Sequence, residues 1–227
     1  MATTSSRSIG VGLGTTSQRR LLRRQQSIEE ALDHALAIMA EHGVGALTIS
    51  EVARRMGLRG PSLYKYFPGL HAVYDALFAR GVAANAAAVS VAIEAHPRGT
   101  ERIRAAVQAT VRWCIENPAL AQLLYWRPVP GFTPTPDSFA ASTETMAQAQ
   151  AEFAEAVRLR QLAPTADSDE GVRLLTVVMS GLITQQMANE PGVAYRAGRF
   201  SGLTDQMIDM FFAHFQTGDP DADPRQR

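Results

Sequence analysis

The chain has 227 residues, with 22 basic and 22 acidic side chains and 46% apolar residues. That length holds one large domain or two small ones around a sizeable core, and zero net charge argues against a uniform polyanion-binding coat. The one cysteine, Cys114, rules out an intrachain disulfide and a cysteine-based zinc site within the chain, and no run of ~18 uninterrupted apolar residues announces a membrane span.

The charge is unevenly placed. Residues 1–70 hold nine Arg and Lys against five Asp and Glu, which points the N-terminal part at a polyanion. Residues 1–26 read as a disordered basic N-terminal arm: apolar periodicity is missing, Gly10, Gly12 and Gly14 punctuate the segment, and RRLLRRQQ closes it at 19–26. The basic run reads either as a solvated tail or as an arm that follows a nucleic-acid backbone. There is no apolar stretch of the kind a secretory signal carries, so a cytoplasmic protein is expected.

A helix is predicted from Ser27, which has capping-box spacing to Glu30. Ile28, Ala31, Leu32, Ala35, Ile38 and Met39 recur at helical period up to a stop at His42-Gly43. Thr48 and Glu51 repeat the capping-box spacing, and Ile49, Val52, Ala53 and Met56 form a much shorter helix ended by Gly57. Pro61 opens a third, PSLYKYF at 61–67, which Pro68-Gly69 terminates. Further helices fit 70–95, 101–117, 118–126, 137–161, 168–189 and 202–216. RPVPGFTPTP at 127–136 carries four prolines and cannot be regular helix. No segment alternates as a strand does, so the class is all-α with about nine helices. The domains are the arm, a helix-turn-helix three-helix domain over 27–70, a larger helical domain over 71–217 and a disordered tail over 218–227.

Two short helices joined by a tight glycine turn make a helix-turn-helix, whose second helix enters the major groove. Leu63 and Phe67, four apart, would pin that helix from beneath, leaving Tyr64, Lys65 and Tyr66 to offer hydroxyl and ammonium donors to phosphate. The same shape also serves proteins that bind no DNA.

TISEVARRMGLRGPSLYKYFPGLHAVYDAL, residues 48–77, resembles the DNA-binding segment of the TetR family of bacterial transcriptional regulators. Thr48, Gly57 and the string Leu63-Tyr64-Lys65-Tyr66-Phe67 carry the resemblance, and EHGVGALTI before them extends it over about 50 residues, 27–77. The resemblance implies that Thr48 touches phosphate as well as capping its helix. It implies that Arg59, Gly60, Pro61 and Ser62 face base edges, and that Tyr64, Lys65 and Tyr66 meet phosphates and thymine methyls. Two positions depart from the pattern. Arg59 stands where the family often has a Ser or Thr cap, which leaves it able to bond guanine. Leu70 stands where the family often has a phosphate-contacting Lys, a role His71 would in part replace.

The remaining helices suit a ligand-responsive repressor that binds a palindromic double-stranded DNA operator as a dimer. The resemblance implies a homodimer through 168–189 and 202–216, whose apolar faces also read as ordinary core. Aromatic walls with few polar groups suit a small apolar effector. Trp113, Tyr125, Trp126, Phe132 and Phe139, with Met146, Met179 and Gln186, are the candidate lining, though each also reads as core. The alternative is a helical protein-interaction scaffold with a helix-turn-helix that binds no DNA. An enzyme is not expected: Cys114 belongs to no nucleophile motif, the five histidines show no metal-ligand spacing, and neither metal nor cofactor is called for.

Overall fold

A computed structural model describes residues 12–216, with side chains from residue 17 onward. The expected disorder of 1–11 and of the tail over 218–227 lies outside the described residues. Among the described residues there are nine α-helices, three short 3-10 turns and no strand, so the chain is all-α. It divides into two compact units, one up to Val73 and one from Tyr74.

The first unit begins with α1, Gly12–His42. Ala31, Leu32, Ala35, Ile38 and Met39 form its buried stripe, the period-3.6 pattern read from the sequence. The helix starts well before Ser27, so residues 12–26 are not disordered. Arg, Leu and Gln are good helix formers. Once the packed stripe supplies the costly nucleus, extension adds one hydrogen bond per residue until something stops it. A short 3-10 turn, Val44–Ala46, leads to α2, Ile49–Arg55. Thr48 caps α2, its Oγ1 accepting from the Glu51 N–H at 3.2 Å. At the other end Gly57 sits at φ 67°, its N–H donates to the Arg54 carbonyl, and the Leu58 N–H donates to that of Ala53. This pair of bonds is the Schellman ending, which needs a left-handed residue.

The third helix, α3, covers only Gly60–Leu63, with Pro61 in its first turn. It is shorter than the predicted 61–67. Pro68 disfavours helical geometry at Phe67, and the backbone tightens instead into a turn with Tyr66 N–H on the Leu63 carbonyl at 2.9 Å. Leu63 and Phe67 are buried.

The division between the units falls within α4, Leu70–Glu94. This helix is long and apolar enough, by length and composition, to cross a membrane, with mean hydropathy 1.6. The sequence reading anticipated no such helix. Alanines supply much of that hydropathy, while Tyr74, Leu77, Phe78 and Val82 are buried in the second unit. That unit continues with α5, Thr100–Glu116; α6, Pro118–Tyr125; α7, Pro136–Arg158; α8, Asp169–Asn189; and α9, Thr204–His214. Ser168 caps α8 by accepting from the Gly171 N–H. Ile103, Leu123, Phe153, Ile183, Ile208 and Phe211 fill its core.

Candidate nucleic-acid interface and effector cavity

In the first unit, burial of Leu63 and Phe67 fixes which way the α3 turn faces. Tyr64 is 55% exposed, Lys65 is exposed and Tyr66 is half-buried. Thr48, Arg59, Pro61 and His71 are also exposed, with Gly60 and Ser62 intermediate. The Lys65 ammonium lies 4.7 Å from the Tyr66 ring centroid, a cation–π contact that orders a long side chain.

Tyr66 is not simply presented to solvent. Its hydroxyl is hydrogen-bonded to Ser27 of α1 and to Lys65, and these bonds, with the nearby Arg24 charge, hold its pKa below the usual phenol value against the opposing effect of burial. Ser27, expected to cap a helix, is therefore an interior α1 residue that receives Tyr66. Arg24 of α1 and Lys65 of the α3 turn both act on this one hydroxyl. Arg59 occupies the position before α3 with extended backbone and makes no side-chain cap bond.

A clamp that the sequence reading did not name holds α2 to α1. Arg55 donates to Glu41 at 2.6 and 2.9 Å and to Glu51 at 3.1 Å, and Arg54 donates to both Glu51 oxygens at 2.7 Å. These bonds drive the Glu51 pKa down from 4.5 to about 2. The Glu51–Arg55 spacing of four was visible in the sequence; Glu41 was not, because its partner lies on another helix.

In the second unit, α4, α5, α7 and α8 surround a cavity of about 450 Å3. Asn85, Val89 and Ile93 line it from α4 at intervals of four. Val107 and Thr110 face it from α5, Met146 and Phe153 from α7, and Leu175 and Met179 from α8. Tyr125 joins from α6, hydrogen-bonded to Cys114. Burial pushes the Cys114 thiol up to about 12 and the Tyr125 hydroxyl well above the phenol range, so both stay neutral. Arg98, Arg102 and Glu152 border the cavity with charge. Glu152 accepts from Arg98 Nε at 3.0 Å and from the Gly99 N–H at 3.0 Å, and pairs with Arg102 Nη1 at 3.6 Å.

Of the candidate lining residues, Tyr125, Met146 and Met179 border this cavity, and the five others do not. Trp113 is buried elsewhere. Trp126 donates from Nε1 to Thr184 Oγ1 at 3.0 Å. Phe132 packs on Tyr74 with ring centroids 5.7 Å apart, and Phe139 stacks on Phe78 at 6.2 Å. Gln186 is buried, donating to the Glu190 carbonyl and accepting from the Ser201 N–H. These five pack or bond elsewhere, while Tyr125 and Phe153 join the aliphatic side chains and methionines that enclose the void. Asn85, Thr110, Arg98, Arg102 and Glu152 were missed. Asn85 alone left a trace, as the polar break in the alanine run AANAAAV spaced by four from Val89.

The apolar faces of α8 and α9 divide. Val172, Leu175, Ile183, Met207, Phe211 and Phe215 are buried within the second unit, whereas Val177, Val178, Leu203 and Met210 stay exposed, at 67, 37, 49 and 68%.

Residues 31–77 match the family described as bacterial regulatory proteins, tetR family. No curated protein matches the chain by sequence. Among solved structures the chain shares its fold with a protein of unknown function from Rhodococcus sp. RHA1, at TM-score 0.71 and 21% identity over 84% of this chain and 95% of that one. It is also similar to the ketosteroid transcriptional regulator KstR2 of Mycobacterium tuberculosis, at 0.61 and 17% over 84% and 95%. The TetR family transcriptional regulator PfmR of Thermus thermophilus follows at 0.58 and 18%, over 83% and 96%.

Proposed function

We propose that the chain, whose residues 31–77 match the tetR family of bacterial regulatory proteins, is a DNA-binding regulator and a cytoplasmic repressor. In this reading it binds a palindromic operator as a homodimer, is released by a small apolar effector and performs no catalysis. The observation that carries DNA reading is the burial of Leu63 and Phe67 beneath an exposed Tyr64 and Lys65. Arg59, Gly60, Pro61 and Ser62 then face base edges. Thr48, Tyr64, Lys65 and His71 meet the backbone, and Tyr66, anchored on Ser27, sets the height of the turn over it.

One α3 turn spans few base pairs, so two copies are needed, and their separation must match the ~34–36 Å between successive half-sites. The exposed Val177, Val178, Leu203 and Met210 supply an apolar face for the second copy. The effector acts only if it binds the DNA-incompetent arrangement better than the competent one. The cavity suits that role because α4 lines it with Asn85, Val89 and Ile93 and runs unbroken to Leu70. A ligand that displaces α4 alters the half-site separation.

Binding of labelled duplex DNA against salt concentration tests the reading. Phosphate contacts release counterions, so affinity falls steeply with salt. Lys65→Ala in both protomers lowers the logarithmic slope by about two. Salt-independent or undetectable binding to duplex DNA would favour the protein-interaction scaffold instead.

A further inference from the structure

The cavity lining is mostly apolar, with Thr110, Tyr125, Thr145, Gln148 and Thr176 among it, and two further polar places define the chemistry of what fits between them. The first is Asn85. It is 8% exposed, it lines the cavity, and its Nδ2 has no hydrogen-bond partner among the described residues. An unpaired buried amide donor is costly to retain, so its presence in the wall points to an acceptor brought by the occupant. The second is the group of Arg98, Arg102 and Glu152 just past the end of α4. Two guanidinium groups share one carboxylate there, and among the described residues no other charged side chain lines the cavity. Arg98 is 48% exposed, which places this group where the cavity opens to solvent. Asn85 and Ile93 are eight residues apart on α4, so the buried amide lies about 12 Å along the helix from that opening.

We propose that the cavity takes an elongated apolar molecule with two polar points: a carbonyl oxygen that accepts from Asn85 inside, and an anionic group that meets Arg98 and Arg102 at the opening. The inference rests on the reading of this cavity as the effector site. A carbonyl answers the Asn85 donor directly, because an amide N–H needs an acceptor and a carbonyl supplies one. An anion at the opening keeps part of its hydration while completing the charge balance of two cations against one. Carried to the inner end it would lose both, so the orientation is fixed.

Calorimetric titration of the full chain with three probes tests this: undecanoate, undecanoate bearing a keto group at its penultimate carbon, and the corresponding methyl ketone without a carboxylate. The wild type is expected to bind the keto acid about tenfold more tightly than undecanoate. Asn85→Leu abolishes that preference and leaves undecanoate affinity unchanged or improved. Arg98→Gln with Arg102→Gln weakens both acids about tenfold or more and leaves the methyl ketone unaffected. Equal affinity for the keto acid and undecanoate in the wild type overturns the proposal, as does a preference that survives Asn85→Leu, or failure of all three probes to bind. Operator release is measured in parallel. The expected selectivity without any effect on DNA binding upholds the ligand class and refutes the effector role, so the two readings fail separately.

Discussion

Gly57 holds φ at 67° so that the Leu58 N–H can reach the Ala53 carbonyl and α2 can end where α3 must begin. A side chain there occupies left-handed geometry at a cost of about 1 kcal/mol. Gly57→Ala is therefore expected to lower Tm by roughly 2–4 °C for a chain of this size, measured by circular dichroism. An unchanged Tm would remove the role assigned to the turn. Arg54 and Arg55, the two guanidinium groups on Glu51, are expected to govern acid stability. The Glu51 pKa is depressed to about 2, so its contribution is complete above its ordinary value of 4.5 and is lost as the pH falls towards 2. Arg54→Ala with Arg55→Ala moves the acid-unfolding midpoint to higher pH. Thr48, Gly57, Leu63 and Phe67 were legible in the sequence because each role follows from a local rule of capping, turn geometry or spacing. Ser27, Tyr66 and Gln186 were not, because their hydrogen-bond partners are set by tertiary approach rather than by neighbours in the chain.

Helices were legible where an apolar stripe or a cap marks them and less so where packing decides. The end of α1 at His42, the start of α2 and the Pro-rich break before α7 agree with the sequence reading. The start of α1 does not, since nothing in RRLLRRQQ faces a core: Leu21 and Leu22 are 65 and 56% exposed. The aromatics misled at this scale too, since ring size signals burial but not which void a ring borders. Among these elements α7 is held unevenly. Its buried residues, Phe153 and Ala156, lie in its C-terminal half. At its start Asp75 of α4 accepts from the Thr135 N–H at 2.7 Å, from Thr135 Oγ1 at 2.9 Å and from Ser138 Oγ at 2.7 Å. Burial raises the Asp75 pKa, but these bonds outweigh it and leave the group below its ordinary 3.8. Between the two anchors, Met146 and Ala149 form a cavity wall. A ligand that moves this wall would pull on α4 through Asp75. Asp75→Ala is expected to leave operator affinity without effector near that of the wild type and to reduce the effector-induced loss of affinity about tenfold, a typical coupling energy. Full coupling in the variant, read by fluorescence anisotropy with and without effector, would exclude this route.

At the scale of the whole molecule, the class and the order of helices were readable from hydrophobic period and turn residues, because an all-α chain writes its core as stripes. The partner-facing surface was not, because a stripe does not say whether it closes its own core or meets another copy. Val177 and Met210 are exposed, which supports the proposed contact with a second copy. Val177→Glu with Met210→Glu is expected to yield folded monomers by sedimentation equilibrium with operator affinity lowered at least about a hundredfold, since each half-site alone contributes too little. A dimer that persists would assign its interface elsewhere. The central claim, that the α3 turn reads DNA as a symmetric pair, is tested most directly by selecting bound duplexes from a random pool with the wild type and with Lys65→Ala and Tyr64→Ala. Enrichment of one palindrome by the wild type, lost in the variants, is the result predicted; enrichment of no sequence, or of the same sequence by all three proteins, would contradict it.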